Sequence, residues 1–103
     1  MGYVLQPVVV TATGTVVSNL KGTARISSFT FSNHSATQKV GVRFYELTSA
    51  GALGSEKFSI TLTSTTDPGS TITQVYGPGD GIKFNNGIYV SVDTSVVGLI
   101  THI

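Results

Sequence analysis

The sequence predicts an all-β protein: one single-domain antiparallel β-sandwich or jelly-roll-like barrel of about eight short strands. Three observations predict it. Val, Ile, Thr, Tyr and Phe dominate the regular stretches and fit pleated surfaces, whereas the helix formers Lys, Glu, Gln, Arg and Met are thin. Apolar segments recur about every 8–12 residues, separated by breaks rich in Gly, Pro, Asn or Ser. No stretch holds an amphipathic helix of three turns. At 103 residues the chain is one domain with room for its own core. No period of about 20–50 residues repeats, which excludes a solenoid or propeller.

Strands are expected at about 3–10, 13–18, 23–33, 38–47, 56–64, 71–76, 81–84, 87–93 and 96–103. The first differs from the rest. Val8-Val9-Val10 is apolar without alternation and follows Pro7, which cannot donate to a ladder and belongs at an edge. A run apolar on both faces needs cover on both. It is either a central strand, the preferred reading, or an N-terminal arm or edge strand covered by another subunit.

In the third segment Phe29 and Phe31 share a parity with Arg25 and Ser27, leaving Ile26 on the other side with both faces partly covered. Asn33-His34-Ser35 reads as a turn. Val40, Val42 and Phe44 share one parity and point inward, with Arg43 and Tyr45 on the opposite side. Residues 49–55, Ser-Ala-Gly-Ala-Leu-Gly-Ser, read as a flexible connection. Phe58, Ile60 and Leu62 alternate with Lys57, Ser59 and Thr61, the cleanest half-buried pattern in the chain. Asp67-Pro68-Gly69 is a strong turn signal, because Pro presets φ and Gly accepts positive φ. Gly77-Pro78-Gly79-Asp80-Gly81 is another.

The turn at Asn85-Asn86-Gly87 is decided by parity. A two-residue Asn-Gly hairpin loop would put Ile82 and Phe84 on the face opposite Ile88, Val90 and Val92. A three-residue loop with Gly87 in the left-handed conformation, or a tight corner of the same parity, puts all five on one face. That parity is expected. The last segment alternates Val97, Leu99, Thr101 and Ile103 with Gly98, Ile100 and His102, so the C-terminus is expected to be tied into a sheet.

Charged residues make up 11% of the chain and formal net charge is +1. No basic run suggests a nucleic-acid footprint. No apolar run approaches the roughly 18 residues of a membrane span, and residues 1–10 lack the pattern of a secretory signal. Met1-Gly2 opens like a myristoylation site, but Gln6 stands where Ser or Thr is wanted. Without cysteine there is neither a disulfide frame nor a thiolate metal site. So few charges leave a neutral, hydroxyl-rich surface that repels other molecules weakly and suits packing against neighbours.

No constellation reads as catalytic. The carboxylates are Glu46, Glu56, Asp67, Asp80 and Asp93; Asp67 and Asp80 are turn formers, and Glu46 is a solvated or ion-paired group near a strand end. His34 and His102 lack the spacing of a metal pair. The glycines at 77, 79 and 81 lead to a strand, not to the helix N-terminus that a phosphate loop needs. Tyr45, Tyr76 and Tyr89 with Phe84 are candidates for a stacking platform but read first as core or interface. The expectation is no enzyme, no cofactor and no metal.

Four segments carry a family resemblance. Val42-Arg43-Phe44-Tyr45-Glu46 ends a long strand; the small-residue loop from Ser49 to Gly54 follows, then Phe58-Ser59-Ile60-Thr61-Leu62. Near the C-terminus stands Gly81-Ile82-Lys83-Phe84-Asn85-Asn86-Gly87-Ile88-Tyr89-Val90. Over roughly residues 23–93 this pattern resembles the small β-sandwich virion structural proteins of tailed bacteriophages, including head decoration or cement proteins. Leu47 directly after Glu46 departs from that pattern.

The resemblance implies a capsid decoration protein on the virion surface, made in the host cytoplasm. It implies as partners the major capsid protein or other virion proteins, and homo-oligomers, commonly trimers. It implies no nucleic acid, membrane or catalysis. A head-fibre, neck or tail component is the nearest alternative. A carbohydrate-binding β-sandwich module, using Tyr89 with Asn85 and Asn86, is an alternative of another class. The candidate protein interface is Tyr3, Val4, Leu5, Pro7, Val8, Val9 and Val10, where an apolar arm or open edge can extend a neighbour's sheet.

Overall fold

The computed structural model of the protein describes residues 6–18, 24–76 and 81–103. Nine strands and no helix lie among them: β1 (Gln6–Val10), β2 (Gly14–Ser18), β3 (Ala24–Asn33), β4 (Val40–Leu47), β5 (Leu53–Leu62), β6 (Thr71–Val75), β7 (Ile82–Phe84), β8 (Gly87–Ser91) and β9 (Val96–His102). They form two antiparallel sheets. The first runs β1-β9-β3-β6, with β7 also against β3, and the second runs β2-β8-β4-β5.

β6 pairs with Ser28–Ser32 and β7 with Ala24–Ile26, both on the side of β3 away from β9. They therefore lie end to end as one interrupted edge. Counted so, the sandwich has two four-strand sheets. Between β1 and β9 the chain changes sheet at every connection except β4–β5 and β6–β7. This order is that of a jelly roll.

Alternation builds the core. Val40, Val42 and Phe44 from β4 and Phe58, Ile60 and Leu62 from β5 turn inward, as their parity predicts. Phe29 and Phe31 meet them from the first sheet. Phe44 stacks on Phe58 with centroids 4.1 Å apart, and Phe31 stands edge-on to Phe44 at 5.6 Å. Such pairs add about 0.5–1.5 kcal/mol each beyond their buried area, so this quartet ties the sheets together.

Three local expectations are corrected and one open alternative, at Asn85-Asn86-Gly87, is decided. Ile26 shares the buried face with Phe29 and Phe31, because the pairing of β3 with β9 shifts between Ile26 and Ser28. One extra residue in a bulge reverses the parity that strict alternation assigns. The freed Ser27 hydroxyl donates to the Thr101 carbonyl at 3.0 Å.

The segment at Asn85-Asn86-Gly87 is the corner, not the hairpin: β7 belongs to the first sheet and β8 to the second. The expected parity holds, since Phe84, Ile88 and Val90 are all fully buried. Gly87 takes φ of 138° there. The Glu46 carboxylate accepts the Asn85 backbone N–H, and the Asn86 amide donates to the Leu47 carbonyl at 3.2 Å. The corner is thus pinned to the end of β4.

The connection expected at 49–55 is shorter. Leu53 pairs with Leu47, so β5 starts there, and Thr48 closes the turn by donating to the Ala52 carbonyl at 2.8 Å. Gly51 has φ of 85°, which a glycine adopts without strain. Finally, the Val8–Val10 run is not a central strand. Among the described strands β1 pairs only with β9 and stands at the edge of the first sheet.

Candidate functional site

The outer face of the first sheet follows from a choice made in β9. Its two sides are both apolar, and the structure turns Gly98, Ile100 and His102 inward while Val97, Leu99 and Thr101 face out. Gly98 must be the inward residue because the ring of Phe31 occupies the place where its Cβ would stand. Val97 and Leu99 are therefore sent outward.

Register lines them up in rows across the sheet. Pro7, Thr101, Ser28 and Val75 form one row; Val9, Leu99, Thr30 and Thr73 the next; Val97, Ser32 and Thr71 a third. Val9 is 67% exposed, Val75 69%, Val97 45% and Leu99 42%. Only one other large apolar residue among those described, Leu53, is comparably exposed, so apolar exposure is concentrated on this face. None of these three rows carries a charge.

Four of its hydroxyls are already paired. Thr30 and Thr73 lie 3.0 Å apart, and Ser32 and Thr71 2.9 Å apart, each pair hydrogen-bonded across the strands. Covering a hydroxyl that keeps a partner costs far less than orphaning one, about 1–3 kcal/mol per group. This face can be dried cheaply.

Of the interface residues read from sequence, Tyr3, Val4 and Leu5 lie outside the described residues. Pro7 and Val9 face out, Val8 is half-buried, and Val10 packs into the core. The structure brings Val9 directly opposite Leu99. Val75, Val97 and Leu99 were missed, since alternation alone left the faces of β6 and β9 unassigned. The lone glycine at 98 was the available signal.

The outer face of the second sheet is different in kind. Tyr45 and Tyr89 meet edge-to-face at 5.9 Å, and Arg43 lies 3.7 Å from Glu56 with both side chains well exposed. Of the sugar-binding group expected around Tyr89, the Asn86 amide is engaged with the Leu47 carbonyl, whereas Asn85 is tied to Glu46 through its backbone N–H and its side chain is exposed.

The remaining polar groups are structural. Asn33 is buried: its amide donates to the carbonyls of Gln38 and Thr63, and its Oδ1 accepts from Ser95 Oγ and the Ser35 backbone N–H. Asp93 accepts from the Ser95 backbone N–H at 3.1 Å and so shapes the β8–β9 turn. Asp67 sits in the expected turn, where Gly69 has φ of 97°. Asp80 lies outside the described residues.

His34 follows the end of β3 that pairs with Val96, whereas His102 pairs with Ile26 at the other end of that strand. The two histidines are held apart. His102 is buried, and its Nδ1 has no hydrogen-bond partner among the described residues. Among those residues no three His, Asp or Glu side chains gather closely enough to hold a metal ion. No helix among them is long and apolar enough to cross a membrane.

The fold defines the chain as a jelly-roll β-sandwich whose first sheet carries three charge-free rows with exposed apolar residues on its outer face, uncovered by any described element. No family model matches it, and no curated protein matches it as a relative.

Proposed function

We propose that the protein is a non-enzymatic virion structural protein of a tailed bacteriophage, acting as a capsid decoration protein that lies over seams between coat subunits. The observation that carries this reading is the outer face of the first sheet, where Val9, Val75, Val97 and Leu99 are exposed without a charge in their rows. Such a surface is useful to a protein whose task is cohesion. Patches of this kind mark sites of contact with other macromolecules.

β1 adds a second means of contact. One side of it is paired with β9, and no described strand pairs with the other. A strand from a coat subunit added there would gain backbone hydrogen bonds, with Pro7 limiting how far the pairing runs. Each contact need be only modest, because repetition over a lattice multiplies it. In this reading the partners are the major capsid protein or a neighbouring virion protein, and no catalytic turnover is involved.

The test is the location and copy number of the chain in purified phage particles, by quantitative mass spectrometry. Copies on the order of hundreds per particle support decoration of the head. About a dozen or fewer would move the protein to the neck or tail, as expected of a ring at one vertex. Absence from particles would overturn the virion reading. A chain lacking residues 2–9 should bind undecorated heads more weakly; undiminished occupancy would remove β1 from the contact.

A further inference from the structure

We infer that Asn86 is a site of spontaneous covalent modification. Its side chain is converted through a cyclic imide to aspartate and isoaspartate, and the product loosens the corner that joins the two sheets. This goes beyond the virion reading and does not depend on it.

Chemistry picks the residue. The backbone nitrogen that follows an asparagine can attack that asparagine's Cγ, and the step is fast only where the nitrogen is unhindered. Glycine, without a side chain, leaves its nitrogen open and lets the backbone reach the geometry of a five-membered ring. Asn86-Gly87 is the one Asn-Gly pair in the sequence; Asn19 precedes Leu20, Asn33 precedes His34 and Asn85 precedes Asn86.

In the first step the Gly87 nitrogen bonds to Cγ, the bond from Cγ to Nδ2 breaks, and the proton from that nitrogen leaves with Nδ2 as ammonia. Water then opens the imide, its hydroxyl joining one carbonyl carbon and its proton returning to the ring nitrogen. Opening at Cγ gives aspartate. Opening at the backbone carbon gives isoaspartate, with one extra carbon in the main chain.

The fold sets the rate. Asn86 is half-buried, and its Nδ2 donates to the Leu47 carbonyl at 3.2 Å. Gly87 is buried, pairs with Ser18 as the first residue of β8, and holds φ of 138°. The Glu46 carboxylate fixes the Asn85 N–H beside them. Ring closure must therefore wait until Asn86 leaves Leu47, and only the open fraction reacts. Exposure points to the other residue, since Asn85 is exposed. The bare nitrogen of Gly87 decides for Asn86.

The product undoes the fastening. A carboxylate in place of the amide takes the donor from the Leu47 carbonyl and sets two acceptors against each other. It also adds a negative charge close to Glu46, which is already bound one residue away. Isoaspartate lengthens the main chain between Phe84 and Gly87, where it crosses from the first sheet to the second.

Incubation of the full chain at mildly alkaline pH, followed by peptide mapping, tests this. The expected result is a gain of about one mass unit at Asn86 before any at Asn85 or Asn33. The rate should rise with pH, because the attacking nitrogen must lose its proton. It should be at least about 10-fold slower in buffer than in concentrated urea, where the corner no longer exists. Asn86→Asp, made directly, should lower the melting temperature by about 5 °C or more, and Asn86→Ser, which removes the donor without adding a charge, by less. Glu46→Gln, which keeps an acceptor for the Asn85 N–H, should restore part of the loss in the Asn86→Asp chain. An Asn86→Asp chain that fails to fold would agree with a loosened corner, and the wild-type rates then carry the test. Asn85 or Asn33 reacting first, equal rates in buffer and urea, or an Asn86→Asp chain as stable as the parent would overturn the proposal.

Discussion

Gly98 lies directly beneath the ring of Phe31: a Cβ there would overlap the ring carbons Cδ1 and Cε1. Phe31 is fully buried and stands edge-on to Phe44, so it has little freedom to retreat. The absence of a side chain at 98 is what lets β9 lie flat against β3 while the aromatic quartet joins the sheets.

Gly98→Ala should therefore destabilise the fold by about 1–3 kcal/mol, the usual cost of overpacking a filled core. Gly41→Ala is the control, because a Cβ there meets only the Ile60 carbonyl at an ordinary 3.8 Å. Urea unfolding of both variants checks the contrast. Equal midpoints would show that Phe31 moves aside freely.

Asn33 joins three connections at one end of the sandwich, through Gln38, Thr63 and Ser95. Asn33→Ala takes a partner from two carbonyls, the Ser35 backbone N–H and the Ser95 hydroxyl at a buried place. A loss of about 2–4 kcal/mol is expected. Denaturant unfolding measures the loss, and hydrogen exchange should show the 34–39 and 63–70 loops opening together.

Gly81 combines two constraints, a φ of 116° and a Cβ position that would overlap the Ile26 carbonyl. Gly81→Ala should cost about 2 kcal/mol or more, since backbone strain and a clash with main chain add. The thermal midpoint reports it. A change below about 0.5 kcal/mol, the range of ordinary surface substitutions, would mean the local backbone relaxes.

The Arg43–Glu56 pair is well exposed on both sides and 3.7 Å apart. Glu56→Gln should change stability by less than about 0.5 kcal/mol, with no more effect at low salt than screening allows. Removing Glu46 should cost more, about 1–2 kcal/mol, because its carboxylate holds the Asn85 N–H at the corner between sheets. Comparing Glu56→Gln with Glu46→Ala by calorimetry separates an exposed ion pair from a structural acceptor.

Much of the fold was legible because alternation is local. The inward sets of β4, β5 and β8, the turn at Asp67-Pro68-Gly69 and the shared parity of Phe84 with Ile88 all follow from a strand's period of two. The face of Ile26 was not legible. A bulge is caused by the partner strand and by Ser27 finding the Thr101 carbonyl, 74 residues away in sequence.

The candidate surface divides the same way. Pro7 was a local signal for an edge, because a missing N–H is a property of the residue, but the apolar run Val8–Val10 outweighed it and favoured a central strand until pairing set β1 beside β9 alone among the described strands. That Val9 stands beside Leu99, that β9 turns Val97 and Leu99 to the outside, and that β7 leaves the sheet of β8 were settled only by packing. The amino-acid sequence by itself determined which side chains alternate and where the chain turns. Tertiary structure decided which of two equally apolar sides is buried, because that choice depends on the volume the opposite elements leave free.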